Sequence, residues 1–170
     1  IPVFKSAAND SSYSVAGSAL TALGKVDAAL AAAVAKQLAD KPSKGLLKEA
    51  IMGEIVKSGD ESMADKIIGD FAKMPMSQEK FQTLNTLGTY LSAIKNTEKV
   101  KWGVDEIVKF RDGVPANYRN QTDPFINGMV LKGLLTKKSK DATENTGNAG
   151  LKELADYIKS KLPDEDKKGF

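Results

Sequence analysis

The side chains here that could do chemistry are carboxylates, lysines and a few hydroxyls. Asp105 and Glu106 are adjacent, Glu61 and Asp65 lie four positions apart, and Glu153 and Asp156 lie three apart. Spacings of three and four put two side chains on one face of a helix. Paired carboxylates there could serve acid–base hydrolysis. The plainer reading of each set is a solvated helix face, or a partner for lysine. The chain has no histidine and no cysteine. That removes the commonest general base, the commonest catalytic zinc ligand, disulfides and thiolate chemistry. An H-E-x-x-H helix cannot be written, and no G-x-S-x-G, P-loop or G-x-G-x-x-G sequence occurs. Any hydrolytic mechanism would have to run on carboxylate, lysine, serine or tyrosine alone.

The basic and aromatic residues give two further candidates. "KKSK" (Lys137, Lys138, Lys140) could touch a phosphate or an acidic partner, or could close a helix end, where cations suit the macrodipole. "RDGVPANYRNQTD", from Arg111 to Asp123, reads as the longest loop. Loops carry contacts, and Arg111, Tyr118 and Arg119 are residue types that interfaces favour. They form the candidate interface; the other reading pairs Arg119 with a local carboxylate, Asp112 or Asp123. Trp102, the single tryptophan, shares a helix with Phe110 and suits packing better than ligand stacking. Asn9-Asp10-Ser11 and Asn120-Gln121-Thr122 match a glycosylation acceptor, a pattern too short to decide anything.

Composition sets the frame. The chain has 170 residues, 41% of them hydrophobic and 28% charged, with a net charge of +3. This suits one folded domain or a compact repeat array. Only Arg111 and Arg119 among the 25 basic residues are arginine, so a nucleic-acid partner is not expected. The longest apolar run, Ala28 to Ala35, is far short of the roughly 20 residues that cross a bilayer, and no membrane partner is expected either. No signal peptide is visible. The chain opens on Ile1, which fits a mature form or a piece of something longer. No compartment follows from any of this.

Helical periodicity runs nearly end to end. Tyr13, Ala16, Leu20 and Leu23 form one stripe, and Leu30, Val34 and Leu38 a second, with Asp27 as the cap between them. Pro42 breaks the pattern. Leu47, Ala50, Ile51 and Ile55 follow, and then, after Gly59 and an Asp60 cap, Met63, Ile67, Phe71 and Met74. Leu84, Leu87, Leu91 and Ile94 make a fifth stripe; Val100, Val104, Ile107 and Val108, capped by Thr97, make a sixth. Asp123-Pro124 reads as the start of a seventh helix. Leu151, Leu154, Ala155, Ile158 and Leu162 complete an eighth, ended by Pro163. The expected core is Leu20, Leu23, Leu30, Val34, Ile51, Ile55, Ile67, Phe71, Leu84, Leu91, Val104 and Ile107. No segment alternates as a strand does.

The helices also repeat. "ALTALGKVD" (Ala19 to Asp27) and "AIMGEIVKSGD" (Ala50 to Asp60) share an alanine–aliphatic pair, a glycine and a closing aspartate; "LGTYLSAIKNT" is a looser third copy. Two helices per unit, at a period of roughly 30 to 45 residues, predict an all-α fold of the HEAT-like α-solenoid kind. It would have about eight helices in stacked antiparallel pairs. Ala16, Gly17, Ser18 and Ala19 would let the first helix approach its neighbours closely. A non-repeating bundle is the alternative. Residues 1–163 would form a single helical repeat domain and 164–170 a charged tail.

"SYSVAGSALTALGKVDAAL" with "LLKEAIMGEIVKSGDESMADKI" resembles the helical C-terminal region of zinc aminopeptidases of the alanyl-aminopeptidase (gluzincin) type. The likeness lies at Ser12, Tyr13, Val15, Ala19, Leu20, Ala22 and Leu23, then at Ala50, Ile51, Gly59 and Asp60. It covers the first two helix pairs well and the rest loosely. In that family the zinc, the H-E-x-x-H helix, the further glutamate ligand and the Gly-x-Met-Glu-Asn motif lie in an earlier domain, and none of them is in this chain. The resemblance implies no catalytic residue and no cofactor here, with zinc in the catalytic domain of a parent enzyme. It implies that this region packs on that domain and gates access of the peptide substrate. The alternative is a stand-alone helical-repeat scaffold that binds a protein or peptide.

Overall fold

The computed structural model describes residues 1–169. Every regular element among them is helical, so the fold is all-α. The order is α1 (Pro2–Ala7), α2 (Tyr13–Val26), α3 (Ala28–Leu38) and α4 (Gly45–Ser58), then a 3-10 turn (Glu61–Met63) leading into α5 (Ala64–Lys73). Next come α6 (Gln78–Ala93), α7 (Thr97–Gly113), α8 (Ala116–Asp123), a π-type segment (Pro124–Leu131), α9 (Lys132–Glu144) and α10 (Ala149–Ser160). The chain divides into two compact units, Ile1–Asp60 and Glu61–Phe170.

In the first unit α2, α3 and α4 pack on one another and α1 packs on α2. Leu20, Leu23, Val34, Leu38, Leu47, Ile51 and Ile55 fill the centre. Of the expected core residues, Leu30 alone is half-exposed. The buried stripe of α3 is Ala31, Val34, Ala35 and Leu38, which puts Leu30 at its margin. Asp27 caps α3 as its spacing predicts, accepting from the Leu30 N–H at 2.9 Å. α5 begins only at Ala64, well after Asp60. The chain makes a 3-10 turn after it, and its carboxylate pairs with Lys36 at 3.0 Å. The two repeat glycines differ as well. Gly59 ends α4 in a left-handed conformation (φ 61°), while Gly24 lies within α2 under the Glu54 side chain. The two helices of the second repeat, α4 and α5, fall in different units.

In the second unit α5, α6 and α7 pack on one another, α10 lies on α7 and α9, and the π segment meets α6 and α7. Phe71, Phe81, Phe110 and Phe125 form a chain of ring contacts with centroids 5.1–6.5 Å apart. Four boundaries depart from the sequence reading. The predicted loop from Arg111 to Asp123 is almost wholly helical: α7 runs through Gly113, and α8 begins after Pro115, which fixes its entry. Asp123 does not cap a new helix, because its own backbone is helical (φ −61°, ψ −41°) and its side chain makes no cap bond. Pro124 lacks an N–H and its ring excludes the carbonyl four residues back, and from here the helix widens into π turns and continues. Asn96, not Thr97, caps α7, its side chain accepting from the Lys99 N–H at 3.1 Å. "KKSK" does not close a helix end, since α9 runs on through it to Glu144.

Candidate functional site

The last carbonyls of a helix have no partner within it and lie at the negative end of its dipole. In the second unit, four cations from other helices or turns occupy those ends. Lys80, buried on α6, donates to the carbonyls of Met74 (2.9 Å) and Ala72 (3.5 Å) at the end of α5, and its Nζ lies 4.7 Å from the Phe71 ring centroid. Lys138, 1% exposed on α9, donates to Ile94 (2.5 Å) and Ser92 (3.2 Å) at the end of α6. Burial pushes both ammonium pKa values down, against the opposing pull of Glu106 on Lys80 and of Asp141 on Lys138. Arg119 reaches back to Val114 (Nε, 3.0 Å) and Asp112 (Nη2, 2.9 Å) and closes α7. Arg111 places Nη1 on the Lys161 carbonyl after α10 (2.8 Å) and on Asn127 Oδ1 of the π segment (2.9 Å), with Nε on Asp112 (2.9 Å).

These contacts say where the sequence candidates went. The Arg119 guanidinium binds main-chain oxygen rather than the carboxylate of Asp112 or Asp123. Arg111 is tied inward, and Tyr118 on α8 stays 54% exposed. Lys138 of "KKSK" is structural; Lys137 and Lys140 pair along the helix with Asp141 and Glu144. Trp102 is half-buried, faces Gly69 of α5 at 3.8 Å from an ideal Cβ there, and lies under the Lys99 ammonium at 5.7 Å.

The carboxylates do not converge. Glu61 Oε1 accepts from the Lys95 and Asn96 N–H groups at 2.5 and 2.9 Å, ahead of α7. Asp65 pairs with Lys99. Asp105 takes the Tyr157 hydroxyl at 2.5 Å and the Lys161 ammonium at 3.4 Å. The bond to Tyr157 holds the Lys161 pKa up, while burial and Asp105 raise that of Tyr157. Glu153 and Asp156 are exposed. Glu106 Oε2 and Asp123 Oδ1 are buried with no hydrogen-bond partner among the described residues.

The first unit carries a different feature, an open groove of about 490 Å³ between α2 and α4. Its apolar lining includes Ala22, Leu46 and Ala50; Lys25, Glu49, Glu54 and Lys57 bring charge to it. Glu54 is 4% exposed, an unusual burial for a carboxylate. Gly24 makes room for it: a Cβ there would fall 2.4 Å from Glu54 Oε2. Oε1 accepts from Lys57 at 2.9 Å, and Oε2 has no hydrogen bond from any described residue. Sequence reasoning passes over Glu54, although the signal exists. Its position continues the buried stripe of Ala50, Ile51 and Ile55, where a carboxylate does not belong without a reason. No protein-family model, curated protein or solved structure matches this chain.

Proposed function

We propose that this chain is a non-catalytic α-helical module that binds a protein or peptide partner. The observation that carries the reading is the division of labour among its polar groups. Four cations of the second unit, Lys80, Lys138, Arg119 and Arg111, are spent on helix ends and its carboxylates face different neighbours, while the first unit keeps an open groove with apolar and charged lining. Grooves of this volume lie within the usual range for ligand sites, roughly 300–1,000 Å³. Selection of a random peptide library displayed on phage against the purified protein tests it. Enriched peptides whose binding is lost in Gly53→Leu are the expected result. No enrichment over an unrelated helical protein overturns it.

A narrower form of the same reading is the C-terminal domain of a zinc aminopeptidase, packing on the catalytic domain and gating peptide entry. Besides the helix motif, the support is a set of apolar side chains open to solvent near the start of the chain. Ile1, Val3, Tyr13 and Val15 are 52, 75, 39 and 46% exposed, as expected of a surface that docks on something. The coding sequence upstream of Ile1 tests this form. An encoded H-E-x-x-H helix with a distant glutamate supports it; a start codon there with no catalytic domain overturns it and leaves the module reading in place.

A further inference from the structure

We propose that the α2–α4 groove recognises a lysine side chain of its peptide partner, with the incoming ammonium on the free oxygen of Glu54. This rests on the binding-module reading and names the ligand chemistry. A carboxylate 4% exposed is costly to bury unless its oxygens are well partnered. Glu54 has one partner, Lys57, itself 68% exposed, and that bond occupies Oε1 alone. Oε2 is packed on Gly24 without a hydrogen-bond partner, in a side chain that lines the groove. One unpartnered oxygen selects the kind of cation. A guanidinium binds best through a two-pronged fork onto both carboxylate oxygens, and here one is taken; an ammonium needs only a single acceptor. Ala22, Leu46 and Ala50 offer the apolar surface on which a four-carbon stem can lie.

Gly53 supplies an independent observation. It sits in the interior of α4, where glycine costs about 1 kcal/mol relative to alanine. Nothing among the described residues calls for it: its φ is not positive, and a Cβ there would have none of their heavy atoms within 4 Å. Gly17 and Gly24 are explained by close neighbours, whereas Gly53 borders the groove and leaves it open.

The experiment titrates three capped tripeptides, acetyl-Ala-X-Ala-amide with X as lysine, norleucine or arginine, into isotopically labelled protein followed by amide NMR. The lysine peptide should move resonances within residues 18–25 and 46–57. It should bind roughly tenfold or more tighter than norleucine, the gap expected for one hydrogen bond to a charged group, and tighter than arginine. Glu54→Gln should erase the lysine preference. Gly53→Leu, which improves helix propensity, should fold and block all three peptides. Equal affinity for lysine and norleucine, or a preference for arginine, overturns the proposal. So does the absence of shifts with every peptide at millimolar concentration. In each of those cases the module reading is judged separately by the display selection, which presupposes no lysine.

Discussion

The two units close their helices by different means. In the first, the ends are finished locally. Asp27 stops α2 and caps α3 in one residue, and Gly59 turns left-handed after α4. In the second, α5, α6, α7 and α10 are finished by Lys80, Lys138, Arg119 and Arg111. Arg119 lies 5 residues from its partner Val114, but Lys138 lies 44 from Ile94 and Arg111 50 from Lys161. A local cap orders only its own helix. A distant cation orders two segments at once, so its loss should be felt across the unit.

Lys138→Met is the strongest test of that difference. Methionine fills similar space but leaves the Ser92 and Ile94 carbonyls without their donor. At about 1–3 kcal/mol for each buried group left unsatisfied, urea unfolding should show a loss of about 2–6 kcal/mol. Replacing the local cap, Asp27→Ala, should cost about 1 kcal/mol. A Lys138→Met protein as stable as the parent would mean that water serves those carbonyls equally well and that the distant cap is ornamental.

The same contrast explains what the sequence could and could not disclose. Leu20, Leu23, Ile51, Ile55, Leu84, Leu91, Val104 and Ile107 are buried where their periodicity puts them, because that signal is local and strong. The Asp27 cap is also legible, since donor and acceptor are three residues apart. The roles of Arg111 and Arg119 were not. Each is an interface-prone residue by type, and only folding brings the Lys161 carbonyl to one and shows that α8 turns the other back on α7. The continuation through Pro124 escaped for another reason: a proline after aspartate normally opens a helix, and π widening leaves no pattern in the side chains. Glu54 was readable as a misplaced charge, yet its meaning depends on Gly24 of a different helix.

Close packing between α2 and α4 gives the next prediction, confined to the first unit. A Cβ on Gly17 would lie 2.6 Å from the Leu46 carbonyl carbon and 2.7 Å from the Leu47 nitrogen, both backbone atoms that cannot swing aside. Gly17→Ala should therefore destabilise by about 1–3 kcal/mol despite its better helix propensity. Gly53→Ala, with nothing within 4 Å, should stabilise by up to about 1 kcal/mol. Thermal melts of the two variants should move in opposite directions. Two shifts of the same sign would refute the distinction between a packing glycine and one that only keeps the groove open.

The smallest effect is in pH, and its sign is fixed. The Lys138 pKa is lowered below its ordinary 10.5, first by burial, with Asp141 and Glu61 pulling it up and Lys137 adding to the depression. Between the lowered value and 10.5 the unfolded chain holds a proton that the folded chain has released, so this group makes stability rise with pH across that window. The neutral amine still donates to Ile94 and Ser92, so the cap survives while the buried charge disappears. Lys80 carries the same sign, and Lys161, whose pKa is raised, loses its contribution as pH passes its folded value. Both remain in Lys138→Met and largely cancel when the variant is compared with the parent. The stability gap between the two proteins should therefore widen from neutral pH toward 10.5. Urea titrations at several alkaline points measure it, and a gap that stays constant or narrows would mean that Lys138 keeps its ordinary proton affinity in the fold.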